Sequence, residues 1–126
     1  MMEILAVGCG GFIGAVCRYL ISLIPISEAF LFPIKTFLIN IFGCVLIGLI
    51  AFWAMINDIE NANLMLFLKV GICGGFTTFS TFALETGELI KNGHYMTALI
   101  YMLLSMLAGV FAVFVIQYFG SRLNAD

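Results

Sequence analysis

The chain has 126 residues, of which 63% are hydrophobic and only 10% charged, and its mean hydropathy is +1.19. That composition excludes a water-soluble domain with a polar shell and defines an integral membrane protein. The formal net charge of -2 comes from five basic and seven acidic residues scattered along the sequence, which is no footprint for nucleic acid.

Measured against the ~20 apolar residues that cross a bilayer, the sequence predicts four spans, at residues 4–24, 36–56, 64–90 and 96–119. They make one four-helix transmembrane domain over residues 1–126, with only a loop at 25–33, a polar connector at 57–63, a turn at 91–94 and a short tail besides. The first run lacks a basic n-region, carries Arg18 and exceeds the length of a signal-peptide core, so it is read as a retained span. Its segment GCGGFIG, residues 8–14, fails the dinucleotide template because Ile13 stands where the third glycine belongs and no strand precedes it. Arg18 lies about six residues from the span's end, within snorkelling distance of the interface.

In the second span the amide of Asn40 needs partners or a water-filled path, and Trp53 reads as an interfacial anchor. The third span is the unusual one. Its midpoint is Thr77, inside the stretch GGFTTFSTF at 74–82. On a continuous helix Phe76, Phe79 and Phe82 form one stripe, with Thr77, Thr78, Ser80 and Thr81 on the other face. Four hydroxyls following Gly74 and Gly75 point instead to a helix broken near its middle. Broken backbone survives at that depth only when buried in protein or lining a polar cavity, and its freed carbonyls can hold a cation. Glu85 and Glu88 share a face near the end of this span, and Tyr101 and Ser105 share one in the fourth. Interior donors outnumber carboxylates, which suits an anion as the conducted species.

Pairs of small residues four apart (Gly10 and Gly14, Gly71 and Gly75, Ser105 and Gly109) predict close helix contacts. The four cysteines, Cys9, Cys17, Cys44 and Cys73, all sit in apolar runs without a Cys-x-x-Cys pair and read as small packing residues. Lysine and arginine give no clear positive-inside signal: Lys69 and Arg122 lie on the side of the termini, against Lys35 and Lys91 on the other, with Arg18 nearer the latter. Either the chain is oriented by other cues, or a four-span bundle without that bias inserts both ways and pairs with an inverted copy; dual topology is the expectation adopted. Without a paired interior acid and base, or a metal-ligand cluster, the sequence does not read as an enzyme.

Gly74 to Phe82, followed by Glu85, resembles the third-span signature of the fluoride channels called Fluc or CrcB. Gly14 to Arg18 and Tyr19 in the first span, and Asn40-Ile41-Phe42-Gly43 in the second, agree with it, and the resemblance covers the whole chain. It implies a passive, fluoride-selective channel in the cytoplasmic (inner) membrane that exports fluoride and lowers its toxicity. The expected assembly is an antiparallel homodimer with two pores and a structural sodium ion (Na+) on the two-fold axis. The resemblance places Asn40, Phe79, Phe82, Ser80, Thr81, Tyr101, Ser105 and Glu85 along the fluoride pathway. It gives sodium to the backbone carbonyls of Gly74 and Thr77, and Arg18 a structural or pore-mouth place. Gly109 departs from the serine frequent in the family. The alternative, a small dual-topology, proton-coupled multidrug exporter, calls for an acid within the first span, where only Glu3 at the terminus is available.

Overall fold

The computed structural model describes residues 1–25 and 30–123; the middle of the first loop and the end of the predicted tail lie outside them. Among the described residues all regular structure is helical. Four helical segments, Met2–Ser22, Ile34–Ile56, Ala62–Lys91 and Tyr95–Arg122, are long and apolar enough to cross a membrane. These are the four predicted spans, each shifted by a few residues.

Local chemistry sets their ends. Helix α1 (Met2–Ser22) stops just before Pro25, which disfavours helical backbone in the residue preceding it. Helix α2 (Ile34–Ile56) starts directly after Pro33, where a missing N–H costs nothing. It ends at Asn57, and the following Asp58 takes a left-handed φ of 47°, a conformation its short polar side chain tolerates. The Asn61 side chain then accepts from the Leu64 N–H at 3.0 Å and so caps the third span. Gly93, at φ 80°, turns the chain from the third span into the fourth.

The third span is built in pieces. A short helix α3 (Ala62–Met65) leads into a π-helical run, Leu66–Cys73, and then into α4 (Gly74–Phe76). Thr77 and Thr78 are extended, with ψ of 158° and 112°. Helix α5 (Phe79–Lys91) completes the crossing, and α6 (Tyr95–Leu123) forms the fourth span. The break sits at the centre, because Phe76 and Thr77 are the two middle residues of 62–91.

Helix α1 lies against the first half of the third span, while α2 and α5 pack on α6. Glycine makes the first contact possible. A Cβ on Gly71 would come within 2.7 Å of the Gly10 Cα, and one on Gly75 within 3.0 Å of the Gly11 Cα. Both are backbone-to-backbone approaches of the kind that small residues four apart permit. The core of the single chain is small, centred on Leu89, Ala98 and Tyr101 with Phe32, Phe37 and Phe82 around them. Most large apolar side chains point outward, the arrangement of a bundle solvated by lipid rather than water.

The break changes one expectation. The stripe of Phe76, Phe79 and Phe82 does not form, because two extended residues rotate the halves of the span relative to each other. Phe76 is buried, its ring edge-on to Phe42 with centroids 5.8 Å apart. Phe79, by contrast, is 79% exposed, and Phe82 packs on Tyr101 at 4.9 Å.

Candidate functional site

A helix that stops at Phe76 leaves the carbonyls of Gly74, Gly75, Phe76 and Thr77 without the donors that a continuing helix would supply. The hydrogen bonds around the break show where those donors went. The Thr78 N–H, which in an unbroken helix would reach Gly74, donates to Asn40 Oδ1 at 2.8 Å. The Thr81 N–H, which would reach Thr77, donates to Thr78 Oγ1 at 3.2 Å. The Gly75 carbonyl accepts from Arg18 Nε at 3.3 Å. Gly74 and Thr77 thus keep carbonyls that their ordinary partners have left.

Asn40 closes a two-point clamp on the extended residue, since its Nδ2 also donates to the Thr78 carbonyl at 3.1 Å. The orientation of the amide follows from the backbone: a peptide N–H can only donate and a carbonyl only accept. One of the two Nδ2 hydrogens is left for another acceptor. The Thr78 hydroxyl donates to Thr81 Oγ1 at 2.9 Å and lies 3.3 Å from Ser80 Oγ, so three hydroxyls form a chain at the start of α5.

Beside the clamp a cavity of about 550 Å³ opens between α2, the break and α6. Asn40, Thr77, Thr78, Phe79 and Phe82 form one part of its wall, and α6 contributes Ser105 between Met102 and Met106, with Cys44 opposite. No charged side chain lines it. Ser105 Oγ is buried and has no hydrogen-bond partner. An orphaned hydroxyl in an apolar setting is costly, and a ligand or water in the cavity would relieve it.

Past Phe82 lies a second polar group. Thr36 Oγ1 donates to Glu85 Oε1 at 2.7 Å, and the Tyr101 hydroxyl donates to Oε2 at 2.8 Å. Tyr101 has no exposed surface, and its ring is edge-on to Phe32 at 5.2 Å. The Glu85 carboxylate is therefore engaged through both oxygens inside one chain.

The residues singled out from sequence fall into three places. Asn40, Phe79, Phe82 and Ser105 meet at the cavity, with Ser80 and Thr81 adjoining it through Thr78. Glu85 and Tyr101 sit together beyond Phe82. Gly74, Thr77 and Arg18 belong to the break, and Gly74 is exposed on the outside of the chain. Sequence reasoning passed over Thr36, Cys44 and the clamping part of Thr78. A signal for the first two existed: Thr36, Asn40 and Cys44 are spaced four apart and so share one face of α2.

The chain matches the protein family described as "CrcB-like protein, Camphor Resistance (CrcB)" over residues 5–117. Among individual proteins it is similar to one from Azobacteroides pseudotrichonymphae, 40% identical over 114 residues, covering 90% of this chain and 91% of the relative. A protein from Dehalococcoides mccartyi is 39% identical over 127 residues, covering 100% of this chain and 98% of the relative. One from Ruminiclostridium cellulolyticum is 47% identical over 107 residues, covering 84% and 82%. All three relatives are named fluoride-specific ion channel FluC.

Proposed function

Because the chain belongs to the CrcB family, whose relatives are named as channels and not as enzymes, we propose that it is a passive, fluoride-selective ion channel. It would work in the cytoplasmic membrane and let fluoride out of the cell, so lowering its toxicity. The observation that carries this reading is the wall of the central cavity: neutral donors and phenylalanine rings, without a carboxylate, around a Ser105 hydroxyl that lacks a partner.

Moving a carboxylate-sized ion into low dielectric costs on the order of 20 kcal/mol by the Born estimate, and a smaller ion costs more. A fluoride pathway must therefore replace the water shell. The spare Asn40 N–H, the Ser105 hydroxyl and the hydroxyl chain through Thr78, Ser80 and Thr81 supply strong donors. The edges of Phe79 and Phe82 supply weak ones, since the ring periphery is the positive end of the aromatic quadrupole. Several weak sites in series let an ion leave as readily as it enters.

A second copy of the chain completes the proposal. Gly74, Phe79 and Ser80 are exposed on the single chain at the middle of a span, and broken backbone at that depth does not face lipid. An inverted copy meets the first at equal depth only at the midplane, which is where the break lies. An antiparallel, dual-topology homodimer with two pores fits that position and the absent charge bias. The carbonyls of Gly74 and Thr77, two per chain and four in the pair, suit a structural Na+ ion. No group of three His, Cys, Asp or Glu among the described residues offers a side-chain alternative. Such an ion would supply a fixed positive charge at the centre of the dimer. The exporter reading finds no acid inside α1, whose sole carboxylate, Glu3, is exposed in its first turn.

The test is anion efflux from liposomes loaded with fluoride or chloride salt, read by ion-selective electrodes after a potassium ionophore is added. Fluoride is expected to leave while chloride stays. An absence of fluoride efflux from folded protein would overturn the proposal. In the same assay Phe82→Ile is expected to slow fluoride by about twofold to thirteenfold, the rate equivalent of ~0.5–1.5 kcal/mol of aromatic contact. Unchanged flux would remove the Phe82 ring edge from the pathway.

A further inference from the structure

The carbonyls that end the first half of the third span are not equivalent. Gly75 is taken by Arg18. Gly74 and Thr77, one residue before it and two after, have lost their N–H donors to Asn40 and Thr78. Arg18 is half-buried and stands one helical turn beyond Gly14, whose Cα side lies directly on the backbone of Ile72 and Phe76. Residues four apart share a helix face, so the glycine contact that seats α1 on the broken span also delivers the guanidinium to its C-terminal end. A cation there is favoured by the helix dipole, and the Nε–H it donates restrains the Gly75 carbonyl.

We infer that Arg18 is a positioning residue for a monovalent-cation site: by holding the Gly75 carbonyl it sets the neighbouring Gly74 and Thr77 carbonyls as a pair toward the ion. This rests on the reading that those carbonyls bind Na+. It assigns Arg18 a place at the break, without direct contact with either ion.

The sign of the effect separates positioning from charge. If Arg18 acted only as a nearby positive charge, its removal would relieve repulsion and tighten sodium binding. If it positions the carbonyls, its removal loosens them and sodium binds more weakly. The experiment titrates Na+ into purified full-length protein equilibrated in a sodium-free buffer of a bulky organic cation, and follows thermal stability. Wild type, Arg18→Gln and Arg18→Lys are compared, with K+ titrated in parallel. Sodium is expected to raise the melting temperature of the wild type more than potassium does. For Arg18→Gln the half-saturating sodium concentration should rise by about tenfold, the worth of one charge-assisted hydrogen bond. Arg18→Lys, which keeps a cationic donor within reach of Gly75, should recover most of that shift.

An unchanged or lowered sodium midpoint in Arg18→Gln would overturn the inference while leaving the cation site intact. A melting temperature lowered equally at every sodium concentration would do the same, showing a structural role alone. If Arg18→Gln does not fold, Gly14→Ala takes its place, because a Cβ at Gly14 meets the backbone of Ile72 and Phe76 and draws Arg18 away from Gly75 without removing its charge. A raised sodium midpoint then supports positioning, and an unchanged or lowered one refutes it. A wild type that ignores sodium would remove the cation site itself, and the inference with it.

Discussion

Replacing Asn40 with aspartate is expected to abolish fluoride efflux from reconstituted liposomes. Two effects act together. A carboxylate in the cavity wall repels the anion it once served, by ~4 kcal/mol at a separation of 4 Å and an effective dielectric constant of 20, which is about a thousandfold in rate. It also faces the Thr78 carbonyl at a position where Nδ2 now donates over 3.1 Å, so one half of the clamp on the break turns repulsive. Asn40→Ala separates the two effects, because it removes the clamp without adding charge. Aspartate should therefore be the slower variant, and both should melt below the wild type. Flux in Asn40→Asp equal to wild type would take Asn40 out of the ion pathway and leave it only the clamp.

Both roles of Asn40 could not be read at once from the sequence. An amide in a membrane span announces a need for partners, and the surrounding hydroxyls suggested an ion. Its actual partners are the N–H and carbonyl of a residue 38 positions away, groups that every residue carries and no residue type advertises. The break itself was legible, because Gly74 and Gly75 followed by four hydroxyls form a run that a lipid-facing helix has no use for. Its geometric consequence was not: two extended residues undo the helical register, so the phenylalanine stripe drawn on a continuous helix dissolved into Phe76 inside and Phe79 outside.

The same limit applies to the first half of the third span. Nothing in LFLKVGIC, residues 66–73, distinguishes a π-helical run from an α-helix, and a π-helix is rare enough that the α-helix is the natural expectation. The glycine spacing did indicate which surfaces meet. Gly10, Gly14, Gly71 and Gly75 were readable as contact residues from their four-residue intervals alone, whereas the partner of Arg18, which by its place in the span could equally have snorkelled to the interface, is the carbonyl of Gly75. Thr36 and Tyr101 carry a comparable lesson. Their shared hold on Glu85 joins three helices, and only the folded chain brings them together.

The contact of α1 with the broken span makes Gly14 the position where one methyl group should do most damage. A Cβ there would collide with the Ile72 carbonyl and come within 2.8 Å of the Phe76 N. Both obstacles are backbone, which cannot rotate aside as a side chain can. For Gly14→Ala the helix must withdraw by something on the order of 1 Å, a type of overpacking that costs ~1–3 kcal/mol. The withdrawal carries Arg18 with it. Its bond to Gly75 is already 3.3 Å long, and a further ångström takes it beyond hydrogen-bonding range. Gly14→Ala is therefore expected to lower both thermal stability and fluoride efflux, and to weaken the response to sodium in the manner of Arg18→Gln. Gly8→Ala is the matched control on the same helix, since a Cβ at Gly8 meets nothing within 4 Å, and it should leave all three readouts unchanged. Equal behaviour of the two variants would mean that α1 does not press on the broken span at Gly14. The break would then owe its shape to the Asn40 clamp alone.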